Sequence, residues 1–155
     1  MKQSNVMELI TPEDWQRSHE ALLSLRPRLS LETFLGNRAF CLEGGYRLFG
    51  LEVDGIIVSV AGITIRPHLV FYKQLEIEDF ATHRDYQKKG YGLILLKWII
   101  EYAKTNSCNR VKLDTRLDNK EAQSFYEKAK MNNTGLRFEL QFNKANTYNP
   151  IDPTS

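Results

Sequence analysis

Two groups of residues in this chain have the types and spacing to do chemistry. The first is Gln87-Lys88-Lys89-Gly90-Tyr91-Gly92, where two lysines precede two glycines at the mouth of an apolar segment. Glycine costs roughly 1 kcal/mol against alanine inside a helix, so helix stability does not explain Gly90 and Gly92. Backbone N–H groups at a helix start, together with the helix dipole, attract a phosphate, and glycines let a ligand approach them. A tight turn carrying solvated lysines is the plain alternative. The nucleotide loop GxxxxGK[ST] is absent, and the dinucleotide pattern GxGxxG would need a glycine where Leu95 stands. The second group is the run of carboxylates Glu76, Glu78 and Asp79. Strand alternation predicts Glu76 and Glu78 on one side and Asp79 on the other.

These residues need a scaffold, and the pattern of the chain supplies one. Val6 to Ile10 reads as a short first strand. Thr11, Pro12, Glu13 and Asp14 then form a helix start, with a capping hydroxyl, a proline in the first turn and acids at the positive end. That helix carries Trp15, His19, Leu22 and Leu23 and stops near Arg26-Pro27, and a second, shorter one starts at Ser30. From Tyr46 the period becomes two: Phe49, Leu51 and Val53 alternate, Asp54-Gly55 signals a hairpin, and Ile56 to Ile65 is almost continuously apolar. Such continuity predicts a central strand covered on both faces. Arg66-Pro67-His68 is expected to break it, and Gln74 to Thr82 to form the next strand.

After Gly92 only Lys97, Glu101 and Lys104 make a polar stripe, so most of that helix should be packed. Arg110 to Thr115 alternates as a short strand. Asp118 and Glu121 have capping-box spacing and should open a helix with Ala122, Phe125, Tyr126 and Ala129 on one face. Gly135 to Phe142 reads as a last strand. The resulting fold class is mixed α/β, a central mixed sheet with helices on its faces. One domain over residues 1–142 is expected, with a frayed tail at 143–155.

Composition narrows the classes. A chain of 155 residues, 42% hydrophobic and 26% charged, suits one soluble globular domain. The formal charge of +2 asks for no nucleic-acid partner, and no nucleic-acid-binding motif appears. No apolar run approaches the ~20 residues of a membrane span, and the first residues turn charged before a signal peptide could form. Cys41 and Cys108 form no CxxC pair, so a reducing cytoplasm is the expected compartment. His19, His68 and His83 are scattered singly without metal-ligand spacing, so no metal is expected.

Several motifs together resemble one family. Gln87 to Gly92 is similar to the Q/R-x-x-G-x-G/A segment of the GNAT (Gcn5-related N-acetyltransferase) superfamily, which cradles the pyrophosphate of acetyl-CoA. Ile77-Glu78-Asp79-Phe80-Ala81-Thr82 resembles the family's fourth strand, whose backbone pairs with the pantetheine arm. Asn119, Ala122 and Phe125-Tyr126-Glu127-Lys128 resemble its N-x-x-A-x-x-F-Y-E-K helix. The likeness spans about residues 45 to 142. It departs at Ala129-Lys130-Met131, where many members have x-G-F.

The resemblance implies acetyl transfer from acetyl-CoA to a primary amine of a small molecule or peptide. It assigns Phe80, Ala81, Thr82, Gln87, Lys88, Lys89, Gly90, Tyr91, Gly92, Asn119 and Tyr126 to the cofactor. It casts Glu78 as the general base with Glu76 as fallback, Tyr126 as the acid facing the sulfur, and a backbone N–H near Phe80 as the oxyanion donor. Asn119 would hold the cofactor arm or Tyr126. Cys41 and Cys108 lack a partnered histidine, which favours direct attack over an acyl-cysteine. A homodimer is expected from the resemblance alone. The rival classes are a non-catalytic acyl-CoA sensor and a weakly supported nucleic-acid binder using Arg84, Lys88, Lys89 and Tyr91.

Overall fold

The computed structural model describes residues 4–142. Five strands form one sheet in the order β1 (Ser4–Leu9), β2 (Arg47–Val53), β3 (Ile56–His68), β4 (Tyr72–Thr82) and β5 (Arg110–Leu113). The first four are antiparallel to their neighbours, and β5 runs parallel to β4. A parallel pair needs a crossover. Helix α3 (Tyr91–Thr105) provides it.

The two faces of the sheet carry separate cores. On one, α1 (Pro12–Leu22) and α2 (Leu31–Glu43) bury Trp15, Ala21, Leu22 and Phe34 against Leu9, Leu48, Ile57, Val60 and Ala81. Trp15 stacks on Phe34 with ring centres 4.8 Å apart, and its indole N–H donates to the Leu9 carbonyl at 2.9 Å. On the other face, α3 buries Leu95, Leu96, Ile99 and Ala103 against Phe49, Ala61, Ile63, Leu75 and Ile77. Helix α4 (Lys120–Lys128) adds Phe125 and Tyr126 to that side.

Thr11 caps α1 in a reciprocal box with Asp14, as its sequence asks. Other expectations need correction. Helix α2 is longer than α1, because Ser30 caps it and nothing stops it before Gly44. Pro67 does not break β3, which pairs through to His68↔Tyr72, because β2 pairs no further than Ile63 and leaves one edge of β3 open at this end. Leu93 and Ile94 of α3 are exposed, so the first turn of that helix has an open apolar side. Helix α4 is capped by Asn119, whose side chain accepts from the Ala122 N–H, while Asp118 pairs with Arg116 instead.

The largest departure is at the end. Residues 132–142 form no strand, and Leu136, Phe138 and Leu140 stand in solvent. The tail at 143–155 lies outside the described residues.

Candidate active site

The site begins where β4 outruns its neighbour. β4 and β5 pair only from Gln74↔Arg110 to Ile77↔Leu113, yet β4 continues to Thr82 along β3. Beyond Ile77 one edge of β4 therefore faces a gap. The backbone groups of Ala81 face β3, since the Ala81 carbonyl accepts from Ser59 Oγ at 3.0 Å and the His83 N–H donates to Val58 at 2.7 Å. Alternation then turns the Phe80 and Thr82 groups toward the gap. Gln87 Nε2 occupies the Thr82 carbonyl at 3.0 Å, so Gln87 ties the loop back to the strand.

Helix α3 starts at this gap. Gly90 is its N-cap, in the left-handed region at φ 86°, and no side chain caps the helix. A Cβ at Gly90 would meet nothing within 4 Å, so it is the backbone conformation that asks for glycine. A Cβ at Gly92 would lie 3.4 Å from Thr82 Oγ1, 3.6 Å from Phe125 and 3.7 Å from Phe80, so Gly92 lies against the end of β4 and α4. Lys88 also has positive φ, and the Lys89 ammonium lies 5.5 Å from the centre of the Tyr86 ring. Tyr86 and Tyr91 pack with Leu51, Val53 and Val58 and hold the loop from below. His83 caps the short turn Arg84–Tyr86 by accepting from the Asp85 N–H, which makes it structural.

Across the gap, Tyr126 meets Phe80 edge-on at 6.3 Å and Phe125 at 5.2 Å. Burial pushes its phenol up to about 12, so it keeps its proton at neutral pH. Asn119 acts here as the cap of α4.

The carboxylates are arranged by a bulge. β3 pairs Gly62 with Asp79 and Ile63 with Ile77, leaving Glu78 as the extra residue on β4. The inserted residue reverses the alternation. Ile77 and Phe80 face the α3 side, whereas Asp79 reaches Tyr46 on the α1/α2 side. Asp79 thus shares a side with Glu76, contrary to the simple alternation of the sequence.

The three acids have different partners. Asp79 accepts from Tyr46 Oη at 2.7 Å and pairs with Arg26 at 2.5 Å. Glu76 lies 3.9 Å from Lys112 Nζ. Among the described residues Glu78 has no ion-pair partner. Its carboxyl is held above the usual carboxylate value by desolvation first, then by the charges of Asp79 and Glu76, against Arg66 and Arg26. Cys41 lies near Glu78 and Asp79, and burial and those charges raise its thiol, the reverse of what a nucleophilic thiolate needs.

Tyr46 and Gly62 form a pair that the sequence reading did not assign. The Tyr46 hydroxyl lies where a Cβ at Gly62 would be only 1.7 Å away. A glycine inside an apolar central strand is the signal that could have marked this close approach. Next to it the buried Thr64 hydroxyl, paired across the sheet with Glu76, has no hydrogen-bond partner.

No cluster of three or more histidine, cysteine or acidic side chains able to hold a metal occurs among the described residues, and no helix there is long and apolar enough to cross a membrane.

The fold is found in known proteins. The profile of the Acetyltransferase (GNAT) family matches residues 7–131, and the chain belongs to that family. It is 29% identical over 123 residues to an uncharacterized N-acetyltransferase, YhdJ, of Bacillus subtilis (strain 168), a match covering 79% of this chain and 87% of the relative. Among solved structures, a transcriptional regulator from Bacillus halodurans C-125 superposes with a TM-score of 0.78 at 24% identity, over 90% of this chain and all of that one. The aminoglycoside N-acetyltransferase AAC(6')-Iy in complex with CoA gives 0.77 at 14% identity, over 91% and 95%.

Proposed function

We propose that the chain transfers the acetyl group of acetyl-CoA directly to the primary amine of a small-molecule or peptide acceptor. The observation that carries this reading is the gap beside β4, with unpaired backbone at Phe80 on one side and an uncapped helix N-terminus at Gly90 on the other. The chemistry fits an acyl-CoA arm. An extended amide chain can hydrogen-bond to an open strand edge, and a pyrophosphate suits orphan N–H groups at a helix start. Lys88 and Lys89 add long-range attraction for it.

Acetyl-CoA supplies the activated thioester, and the residues of the chain do the rest. An alkylammonium with a pKa around 10 is not a nucleophile, so a base must take its proton. Glu78 is the base in this reading. It faces the α1/α2 side beside the gap, and it is the carboxylate that Arg26 and Lys112 leave unpaired. Its unpaired negative charge also favours a cationic acceptor. The Phe80 N–H donates to the carbonyl oxygen as that oxygen gains charge. Tyr126 donates to the departing sulfur. With its pKa near 12, it stabilises the thiolate as a hydrogen-bond donor more than it surrenders a proton.

Titration calorimetry with acetyl-CoA, with desulfo-CoA and ATP as controls, tests the binding half. Micromolar binding of the CoA species without ATP binding is expected, and no binding to any CoA would overturn the proposal. A thiol-release assay against a panel of polyamines, amino-sugars and lysine peptides tests the chemistry. CoA binding without turnover of any amine would favour the sensor reading.

A further inference from the structure

The α1/α2 face of the sheet carries a basic cluster that the proposed chemistry does not use. On β3, Thr64, Arg66 and His68 turn to that face by alternation, because Ile63 and Ile65 pack toward α3. On β4 and β5, Gln74 and Arg110 do the same, because Leu75 and Val111 pack toward α3. Register then sets Arg66, Gln74 and Arg110 in one row across three strands. The Arg110 guanidinium donates twice to the buried Gln74 Oε1, at 3.0 and 2.6 Å, and lies 4.3 Å from the centre of the Phe71 ring. That places its Nη2 3.4 Å from His68 Nε2.

The contact between Arg110 and His68 sets donor against donor. His68 Nδ1 accepts the N–H groups of Val70 and Phe71, each at 3.1 Å, so it carries no proton. An imidazole keeps at least one, and Nε2 must therefore bear it. Two N–H groups this close repel unless one hydrogen-bond acceptor serves both. The charges point the same way. Among the described residues neither Arg66 nor Arg110 has a carboxylate within ion-pair distance, and the Arg66 side chain is exposed. A planar guanidinium with free N–H groups suits a carboxylate or a phosphate. The pyrophosphate of the cofactor is not the ion concerned. Gln74 and Thr82 stand eight residues apart on β4, about 26 Å, and α3 starts at the Thr82 end.

We infer that Arg66, His68 and Arg110 form an anion subsite, and that the substrate is an amine carrying a carboxylate or phosphate at its far end. This rests on the acetyl-transfer reading, with Glu78 as the base. Glu78 lies on the same face, and the Arg66 charge acts on its carboxyl without pairing with it. Asp79, the neighbour of Glu78, pairs with Gly62, four residues along β3 from Arg66. The base and the anion row are thus roughly 13 Å apart along the sheet before the long side chains lean together. An α-amino acid holds its two charges too close to reach both. A longer ω-amino acid or an amino-sugar phosphate spans the distance. The partnerless Thr64 hydroxyl lies on the path between the two ends.

Inorganic phosphate and glutarate are the probes, since neither needs turnover. NMR titration of the full chain should show saturable shifts of the His68 imidazole and Arg110 Nε–H signals with at least one of them. The ion that binds more tightly tells phosphate from carboxylate. Arg66→Gln should weaken that binding roughly tenfold. Arg66 is exposed, so circular dichroism should report an unchanged fold. No shift at His68 and Arg110 with either ion would overturn the inference, as would binding indifferent to Arg66→Gln. With acetyl-CoA present, ω-amino acids and amino-sugar phosphates should have higher kcat/KM than alkylamines and amino-sugars of the same length. Arg66→Gln should lower that ratio about tenfold, and a ratio cancels any effect of Arg66 on Glu78. Equal kcat/KM for anionic and plain amines would overturn the inference and leave acetyl transfer standing. Failure to bind acetyl-CoA would instead overturn the acetyl-transfer reading, whereas the ion titration needs no cofactor and decides the subsite alone.

Discussion

Tyr46 donates its hydroxyl hydrogen to Asp79 across 2.7 Å, and it can reach there only because position 62 is glycine. An alanine Cβ would stand 1.7 Å from the Tyr46 oxygen, so the half-buried tyrosine would have to give up its place against Asp79. Gly62→Ala should therefore destabilise the fold by about 1–3 kcal/mol, the range of an overpacked core. Thermal unfolding measures this. Gly62→Ala combined with Tyr46→Phe should recover little, because the ring carbon Cζ would still stand 2.3 Å from the new Cβ. Full recovery in the pair would mean that the hydroxyl alone is in the way.

Glu78→Gln should lower kcat by roughly 10²–10⁴, the ordinary contribution of a general base. It should do so without loss of stability. The folded-state pKa of Glu78 is raised, so ionising it opposes folding as pH climbs from the unfolded value through the folded one. Removing that charge relieves the penalty at neutral pH. A variant that is inactive with an unchanged or slightly higher Tm fits this account, and one that unfolds does not.

The same neighbours predict the pH profile. A carboxylate base works ionised, so kcat/KM should rise with pH through the raised pKa of Glu78. Desolvation is the largest cause of that elevation and Asp79 comes next, with Glu76 acting in the same sense and Arg66 and Arg26 against it. Asp79→Asn removes a negative neighbour and leaves Arg26 in place, so the acid limb should move to lower pH. A limb that stays put would place the titrating group elsewhere.

Much of this was legible in the sequence, and the misses have physical causes. The turn at Asp54-Gly55, the cap at Thr11 and the helix behind Gly92 are local signals, and each formed where the residues asked. The orientation of Asp79 was not legible. It depends on an extra residue in β4, which no pattern within the strand announces. Asn119 took the cap from Asp118 because Arg116 holds the Asp118 carboxylate. Residues 135–142 alternate with a period of two and still form no strand, because alternation alone does not supply a ladder.

Tyr126→Phe should leave acetyl-CoA affinity nearly unchanged and lower kcat by roughly 10²–10³, as expected for one lost hydrogen-bond donor at a developing charge. The phenol sits near 12, so it should contribute no alkaline limb below about pH 10. An alkaline limb that disappears in Tyr126→Phe would contradict this.

Gly90 and Gly92 should respond differently to alanine. At Gly90 the space is open, but φ is 86°, which costs a residue with a Cβ roughly 1–2 kcal/mol. If the free loop relaxes out of that conformation, binding must restore it, and Kd for acetyl-CoA should rise by about tenfold. At Gly92 the added methyl meets Thr82, Phe125 and Phe80 at ordinary distances, and alanine favours the helix. Its Kd should hold and its Tm should hold or rise. Equal losses of affinity at both positions would mean that the phosphate is met at Gly92 as well.

Thr64→Val should stabilise the protein or leave it unchanged. The Thr64 hydroxyl is buried with no partner, and an unsatisfied buried polar group costs about 1–3 kcal/mol, whereas valine keeps the shape. The residue also lies across from Glu76 on the side that carries Glu78. If its hydroxyl serves the acceptor amine, Thr64→Val will raise KM for the amine while the KM for acetyl-CoA stays constant. Unfolding and steady-state kinetics on one variant separate these roles. A higher Tm with unchanged KM makes Thr64 a packing residue, and a higher Tm with a raised amine KM makes it part of the acceptor site.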